Sequence, residues 1–295
     1  AANMRGISLR KLDSRIREAR PERLYVHADG ARAHKSGEAE KCAETRAIFE
    51  EIDWPCTVFR LFRDENWGVK RGLSDAISWF FKNEKMGIVL EDDCLADLSF
   101  FRFCDELLVK YAENQQVMHI SGHNWVLPEV HKKQESYIFT NYTIVSAWAS
   151  WARAWQQLDL EISGLEEFKK SERWQRFLPG RHSRRYLMEK FEAVRAGKID
   201  SWAFPWFYTV AKAGGLGIVP RVNLVENIGI SQPDATNTTG GGDARTLKAE
   251  KVSFPLVHPE NLHADPDFDQ KLFFLTHKSR LRLWLRAILG YLGRR

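Results

Sequence analysis

Three acids stand in a row in the segment "GIVLEDDCLADLSFFRFC": Glu91, Asp92 and Asp93 follow directly on a short apolar run. Adjacent carboxylates repel, so the arrangement asks for a positive partner. One reading is a solvated turn whose acids cap the next helix, a task for which Asp97 and Ser99 already suffice. A second is a calcium loop, but the long pattern of spaced acids ending in Glu is missing. A third is a divalent cation held by one or two carboxylates and by the phosphates of a substrate. Magnesium and manganese are bound in that incomplete way, and such a cation serves as a Lewis acid on a leaving diphosphate.

The elements that must position such a site alternate along the first half of the chain. Leu9, Leu12 and Ile16 have the spacing of a helix over 7–20, and Pro21 sets off a strand, "RLYVHADG", ended by Asp29-Gly30. A polar-faced helix is expected over 37–52, a strand over 56–62, a helix over 68–83 and a short buried strand over 87–90. Ser99 is the expected N-cap of a helix whose apolar positions 100, 103, 104, 107, 108 and 111 form one face. Strands and helices in this order, with short apolar strands, predict an α/β fold with a mainly parallel sheet flanked by helices. Ligands of such sheets sit at the carboxyl ends of the strands. Asp29, Asn66 and the acidic triplet all fall just after strand signals.

After Val117 the regular alternation gives way to segments rich in Trp, Gly and Asn. Helices are expected over 182–198 and 201–214, a strand and its continuation over 215–229, and a long polar, Gly-rich loop over 231–246. Trp148, Trp151 and Trp155 have the spacing of one helical face; core packing is the expected fate of most of them. No internal repeat is present.

Composition narrows the function classes. The chain has 295 residues and 44% hydrophobic content, enough for one large α/β domain or two small ones. No run is long enough to span a membrane, and nothing at the N-terminus reads as a signal peptide. The four cysteines, Cys42, Cys56, Cys94 and Cys104, form no C-x-x-C pair, so free thiols in a reducing cytoplasm are the simplest reading. The sequons at Asn141 and Asn237 then carry no weight. Six basic residues and no acids lie between Lys278 and Arg295; subtracting these six from the net +5 leaves about −1. The positive charge belongs to the tail and does not describe a groove for nucleic acid.

The stretch "NWGVKRGLSDAISWFFKNEKMGIVLEDDCLADLSFFRFCDELL" resembles the nucleotide-diphospho-sugar transferases of the GT-A glycosyltransferase fold, the family-2-like enzymes of bacteria among them. "HISGHNW", "SAWASWARAW", "DSWAFPW", "VNLVENIG" and "FPLVHP" are similar to later segments of one bacterial family, in the same order, so that the resemblance spans roughly residues 20–260. It implies a nucleotide-sugar-binding half over 1–120 and a mixed acceptor-side half of the same domain over 121–265; beyond it, the residues themselves lead to the expectation of a basic amphipathic C-terminal helix over 266–295. It implies a metal-dependent sugar transfer, with Mn²⁺ or Mg²⁺, from a UDP- or GDP-sugar to a glycan or lipid-linked glycan. The same acids would also suit a metal-dependent phosphohydrolase or nucleotidyltransferase, or survive in a non-catalytic carbohydrate-binding relic.

The resemblance also implies roles. Asp29 would contact the nucleoside. Asn66 and Gly68 would shape the turn near the diphosphate, and Arg71 would counter its charge unless it is a solvated helix charge. Glu91 and Asp92 would face the ribose and donor sugar, and Asp93 would ligate the metal. His258 would complete the metal or diphosphate contact unless it is structural. His123 and Asn124 are expected on the acceptor side, with Trp148 as a sugar platform. An inverting transfer needs a base. Asp200 is the candidate, its alternative being an N-cap of the 201–214 helix. The family's usual second acid in a W-D-Y-Q-W pattern is replaced by Ala203, which puts the base assignment in doubt.

The ends carry two more expectations. "AANMRG" stands where a first strand should be finishing, so the expected reading is a fragment whose true start lies upstream. "KSRLRLWLRAILGYLGRR" is expected to form a basic amphipathic helix on an anionic membrane surface, peripheral to the inner face, or to dock on the domain.

Overall fold

The computed structural model describes residues 6–126, 134–229 and 247–276. The chain runs α1 (Gly6–Ala19), β1 (Arg23–Ala28), α2 (Glu38–Ala47), β2 (Thr57–Phe62), a wide π-type turn (Val69–Leu73) leading into α3 (Ser74–Asn83), β3 (Met86–Leu90) and β4 (Cys94–Ala96). It continues with α4 (Leu98–Lys110), β5 (Val117–Ser121), β6 (Tyr137–Thr140), β7 (Ala147–Trp151), α5 (Ala152–Trp155), α6 (Leu165–Lys170) and α7 (Glu172–Phe177). Then follow α8 (Arg181–Arg195), α9 (Ala203–Ala213), β8 (Leu216–Pro220) and β9 (Val225–Asn227), and α10 over 266–276.

The fold is mixed α/β. A central five-stranded sheet has the order β3-β7-β5-β8-β6, and two-stranded pairs form from β1 with β2 and from β4 with β9. The sheet departs from the mainly parallel expectation. β5 runs parallel to β8 and β1 to β2, but β3–β7, β5–β7 and β6–β8 are antiparallel. Two strands are reversed: β7, the Trp-rich strand, between β3 and β5, and β6 at the edge beside β8.

Two local features also differ from expectation. Asp97, not Ser99, caps α4: its carboxylate accepts Ser99 N at 2.8 Å, and the Ser99 hydroxyl donates to Asp97 at 2.6 Å and accepts Val252 N at 3.1 Å. The face beyond it is as expected, with Phe100, Phe103, Cys104, Leu107, Leu108 and Tyr111 all buried. Trp148 and Trp151 lie on β7 rather than on a helix. Three residues apart on a strand, they point to opposite faces. Trp148 packs with Trp155, Trp202 and Trp206, whereas Trp151 joins the α4 cluster and donates Nε1 to Leu108 O at 3.0 Å.

The start of the C-terminal region docks on the domain. Phe268 and Leu272 of α10 pack with Ile138, Ile144 and Val219. Asp269, also buried, accepts from the Thr140 hydroxyl and from Asn141 Nδ2 at 2.8 Å. The basic segment 278–295 and the Gly-rich loop 231–246 lie outside the described residues. Among the described residues no helix is long and apolar enough to cross a membrane.

Candidate functional site

The turn after β2 is held by two aspartates far apart in sequence. Asp29, buried at the end of β1, accepts from Gly30 N at 3.1 Å, Trp67 N at 2.9 Å and Gly68 N at 3.1 Å. Asp200 accepts Val69 N at 2.9 Å and Lys70 N at 3.0 Å. The four successive amides from Trp67 to Lys70 are thus turned towards carboxylates at the positive end of the helical segment. Gly68 has φ 75°, and a Cβ there would sit 3.1 Å from Asp200 Oδ2, so glycine fits both the backbone and the space. Asn66 fastens the approach by donating Nδ2 to Gly30 O at 2.9 Å.

Positive charge collects on the same turn. The Trp67 ring lies between two guanidiniums, Arg63 at 3.6 Å and Arg71 at 3.7 Å from its centroid. Arg63 also pairs with Asp75, and Lys70 with Glu161 at 3.1 Å. Arg71 is solvent-exposed. Sequence reasoning missed Trp67 and Arg63. The signal was present as arginines four residues before and after a tryptophan, a spacing that stacks only if the backbone turns there.

The acidic triplet forms the turn between β3 and β4. Glu91 N donates to Ser146 O at 2.8 Å, Cys94 N closes onto Glu91 O at 3.1 Å, and Ile228 N donates to Asp93 O at 2.8 Å. Asp93 is packed against Gly229 so closely that a Cβ there would lie 2.4 Å from its Oδ2. Glu91 and Asp92 line a cavity of about 760 Å³ together with Ala28, Leu73 and Trp202. Burial first, and then the charges of Asp93 and Asp92, push Glu91 up to about 8. Burial likewise raises the thiols of Cys94 and Cys104, which makes neither a ready thiolate.

Among the described residues no group of three or more His, Cys, Asp or Glu side chains has the arrangement of a metal cage. The acids present still fit a cation of the incompletely caged kind: hard oxygen donors, a Glu91 carboxyl raised by burial and then by the charges of Asp93 and Asp92, and an open cavity beside Glu91 and Asp92 for further oxygen ligands.

The remaining expected residues are placed elsewhere. His258 accepts or donates at Nδ1 to the Tyr137 hydroxyl, 2.9 Å away, and its Nε2 is 3.6 Å from Glu106; Tyr137 in turn bonds Tyr111 at 2.6 Å. Its contacts are therefore those of a strut between the 247–264 segment and α4. Asn124 is buried and engaged throughout: it takes Asn223 Oδ1 at its N–H and donates Nδ2 to Pro220 O and Arg221 O at 2.8 and 3.0 Å, and its Oδ1 accepts Val126 N at 2.9 Å. His123 is 1% exposed and burial lowers its pKa to about 4, so it is neutral. Trp148 is 0% exposed, stacked on His119 and Trp202 with centroids 5.1 and 5.6 Å apart. A sugar platform must be open on one face, so Trp148 is corrected to a core residue. Asp200 does not cap the helix that follows it: α9 has no side-chain cap from its N-cap residue, and the Asp200 carboxylate is spent on Val69 and Lys70.

No protein-family model matches the chain, and no curated protein matches it.

Proposed function

We propose that the chain is a metal-dependent glycosyltransferase of the GT-A type, moving a sugar from a UDP- or GDP-sugar to a glycan or lipid-linked glycan. The observation that carries this reading is the position of Glu91 and Asp92, with Asp93 next in the chain, at the carboxyl end of β3 on the wall of a 760 Å³ cavity. Ligand sites of α/β folds form at strand carboxyl ends, and this volume is in the range of small-molecule sites. On this reading β1 to β5 belong to the nucleotide-binding half of a GT-A domain, and β6 to β9 to the acceptor-side half.

Asp93 would hold Mn²⁺ or Mg²⁺ with the donor diphosphate, while Glu91 and Asp92 face the ribose and sugar. The bound cation would supply charge stabilisation to the leaving diphosphate. Arg71, stacked on Trp67 and exposed, would counter the charge of the same phosphates. Asp29 and Asp200 fix the turn that carries Arg71. With both oxygens accepting backbone N–H groups, Asp200 acts as a positioning residue in this arrangement.

Calorimetric titration of UDP- and GDP-sugars with and without Mn²⁺, followed by NMR of the products, tests the reading. The expected result is metal-enhanced donor binding and a new glycosidic bond. Release of phosphate or pyrophosphate with no sugar transferred would replace it with a phosphohydrolase or nucleotidyltransferase. Absence of metal-enhanced binding to any donor would reject it.

A further inference from the structure

Away from the cavity, positive charge gathers at the corner between α7 and α8. Residues 173–185, "RWQRFLPGRHSRR", hold five arginines, His182 and no acid. Without the tail the chain carries about −1, so what remains outside this segment carries about −6. The apolar side of the two helices faces inward: Trp174, Phe177, Leu187 and Phe191 pack with Phe207 and Tyr208 of α9. Arg173, Arg176, Arg181, His182 and Arg185 are left exposed on the outer side.

Local structure accounts for only part of this charge. Arg184 Nη1 donates to Leu178 O at 2.5 Å, and Arg173 lies against Gly214 at the end of α9, where a cation suits the helix carboxyl end. Arg176 and Arg185 pair with Glu172 and Glu189 one turn away, at 3.5 and 2.9 Å and in solvent, where such pairs hold little. Arg181 has no carboxylate partner among the described residues. α8 begins after Gly180, which has φ 91° and gives no side-chain cap, and its first turn holds no acid. Cations at a helix N-terminus oppose the macrodipole. An anion from outside the chain would offset both the dipole and the clustered guanidiniums, whose planar fork fits phosphate.

Apolar surface lies on the same side. Tyr186 of α8 packs on Phe273 of α10 with centroids 6.0 Å apart, and the Lys190 ammonium lies 5.3 Å from the Tyr186 ring. Beside Phe273, Phe274 is 44% exposed, and past the buried Asp269 α10 carries Lys271 and no acid. The chain continues from there into 278–295, whose sequence adds six basic residues, no acids and the apolar Leu281, Trp284, Leu285, Ile288 and Leu292. Arginines beside an exposed aromatic ring, continuous in sequence with a basic and apolar segment, match a lipid surface better than the polar surface of a nucleic-acid duplex.

We propose that the α7–α8 corner and the end of α10 form a face that binds an anionic bilayer, with the arginines on lipid phosphates and Phe274 at the headgroup boundary. α8 has 15 residues and is about 22 Å long. It leads from this corner towards Asp200 on the clasped turn, so the bilayer lies about one helix length from the candidate site. On the transferase reading above, that separation suits an acceptor whose glycan extends from a lipid.

The test is co-sedimentation of the full chain with vesicles of phosphatidylcholine, alone or with a one-third share of phosphatidylglycerol. The expected result is saturable binding to the mixed vesicles only. Arg181→Glu together with Arg185→Glu should weaken it about tenfold. Arg195→Glu together with Lys198→Glu changes the net charge equally at the other end of α8, beyond the reach of screened charge, and should leave binding within about twofold. Acids suit a helix N-terminus, so the first variant should melt no lower than the parent, which separates lost binding from lost folding. Phe274→Ser should weaken binding severalfold. The proposal is overturned if both vesicles bind alike, or if the two double variants behave alike. It also fails if the first variant binds as the parent does, which would leave the contact to 278–295 alone. Release of the vesicles by an equal concentration of inorganic phosphate would replace the face with a single-ion site. A DNA duplex bound more tightly than the mixed vesicles, and lost in the first variant, would make it a nucleic-acid surface. The readout uses neither nucleotide nor metal, so its failure is distinct from failure of the transferase reading.

Discussion

β5, β6, β7 and β8 bury every residue. β2 and β3 bury none completely, and β1 buries only Val26 and Ala28. Yet "GIVL" of β3 is as apolar as the corresponding residues of β5. The difference is one of neighbours: β5 lies between β7 and β8, whereas β3 has β7 on one side and the cavity on the other. Apolar character therefore reports where a strand is suited to lie, and pairing decides how far it is buried. The acids and the clasped turn sit in the open region, and the tryptophans that drew attention in the sequence sit in the closed one.

The largest expected effect separates the two regions by stability. Trp148→Ala should destabilise the protein by about 3–5 kcal/mol, as large-to-small changes at buried aromatics do. Ile88→Ala, on the open edge, should cost less than about 2 kcal/mol. Chemical denaturation measures both. Equal costs would show that β3 is packed as tightly as β7 and would break the comparison.

A second contrast sets one buried carboxylate against another. Asp29→Ala leaves the amides of Trp67 and Gly68 without their acceptor and should cost about 2–3 kcal/mol. Asp269→Ala frees the Thr140 hydroxyl and should cost about 1–3 kcal/mol by loosening α10. Only the first should also weaken Mn²⁺-dependent nucleotide-sugar binding. If both weaken it alike, the turn at 67–70 has no special link to the donor.

Asp200→Ala should have a smaller effect on folding, about 1 kcal/mol, the usual worth of a cap at an exposed helix start. Its effect on turnover is the sharper measurement. A positioning role predicts that Asp200→Asn, which keeps one acceptor oxygen, recovers part of the loss. A base would not be replaced by an amide, and turnover in Asp200→Asn would stay as low as in Asp200→Ala.

The strand and helix order of the first half was legible because each element has its own period and a punctuating Pro, Gly or Asp. The α4 face is the clearest case: six apolar positions, all buried. The sheet's mixed character was not legible, because a reversed strand and a parallel one share the same alternation. Trp148, Trp151 and Trp155 show the same limit, since a spacing of three and four fits a helix face and also fits a strand that runs into a helix. Of the site, the acids and Asp29 could be located from their places after strands. The clasp of Asp200 onto Val69 could not, because no local pattern joins residues 131 apart.

The finest test uses pH, where the two regions carry groups of opposite sign. His119, in the closed region, donates Nε2–H to Ile144 O and accepts the Trp206 N–H at Nδ1; burial lowers its pKa to about 4 from 6.5. The unfolded chain therefore binds the extra proton between those values, and the His119 contribution to stability rises as pH goes from about 4 to 6.5. Glu91, in the open region, is raised from 4.5 to about 8. Here the folded state holds the extra proton, so its contribution falls as pH rises through that window. Asp269 is also raised, to about 6, but contributes equally to parent and variant. Melting curves from pH 5 to 8 should thus show a shallower loss of stability at the upper end in Glu91→Gln than in the parent. Because one carboxyl is removed, the change in slope cannot exceed one proton. Mn²⁺ favours the ionised acids, so it should flatten the parent's curve towards that of the variant and release protons on binding at pH 7. A parent curve that Mn²⁺ leaves untouched would mean that the repulsion in the triplet is answered by burial and protonation alone, and that the open region holds no cation.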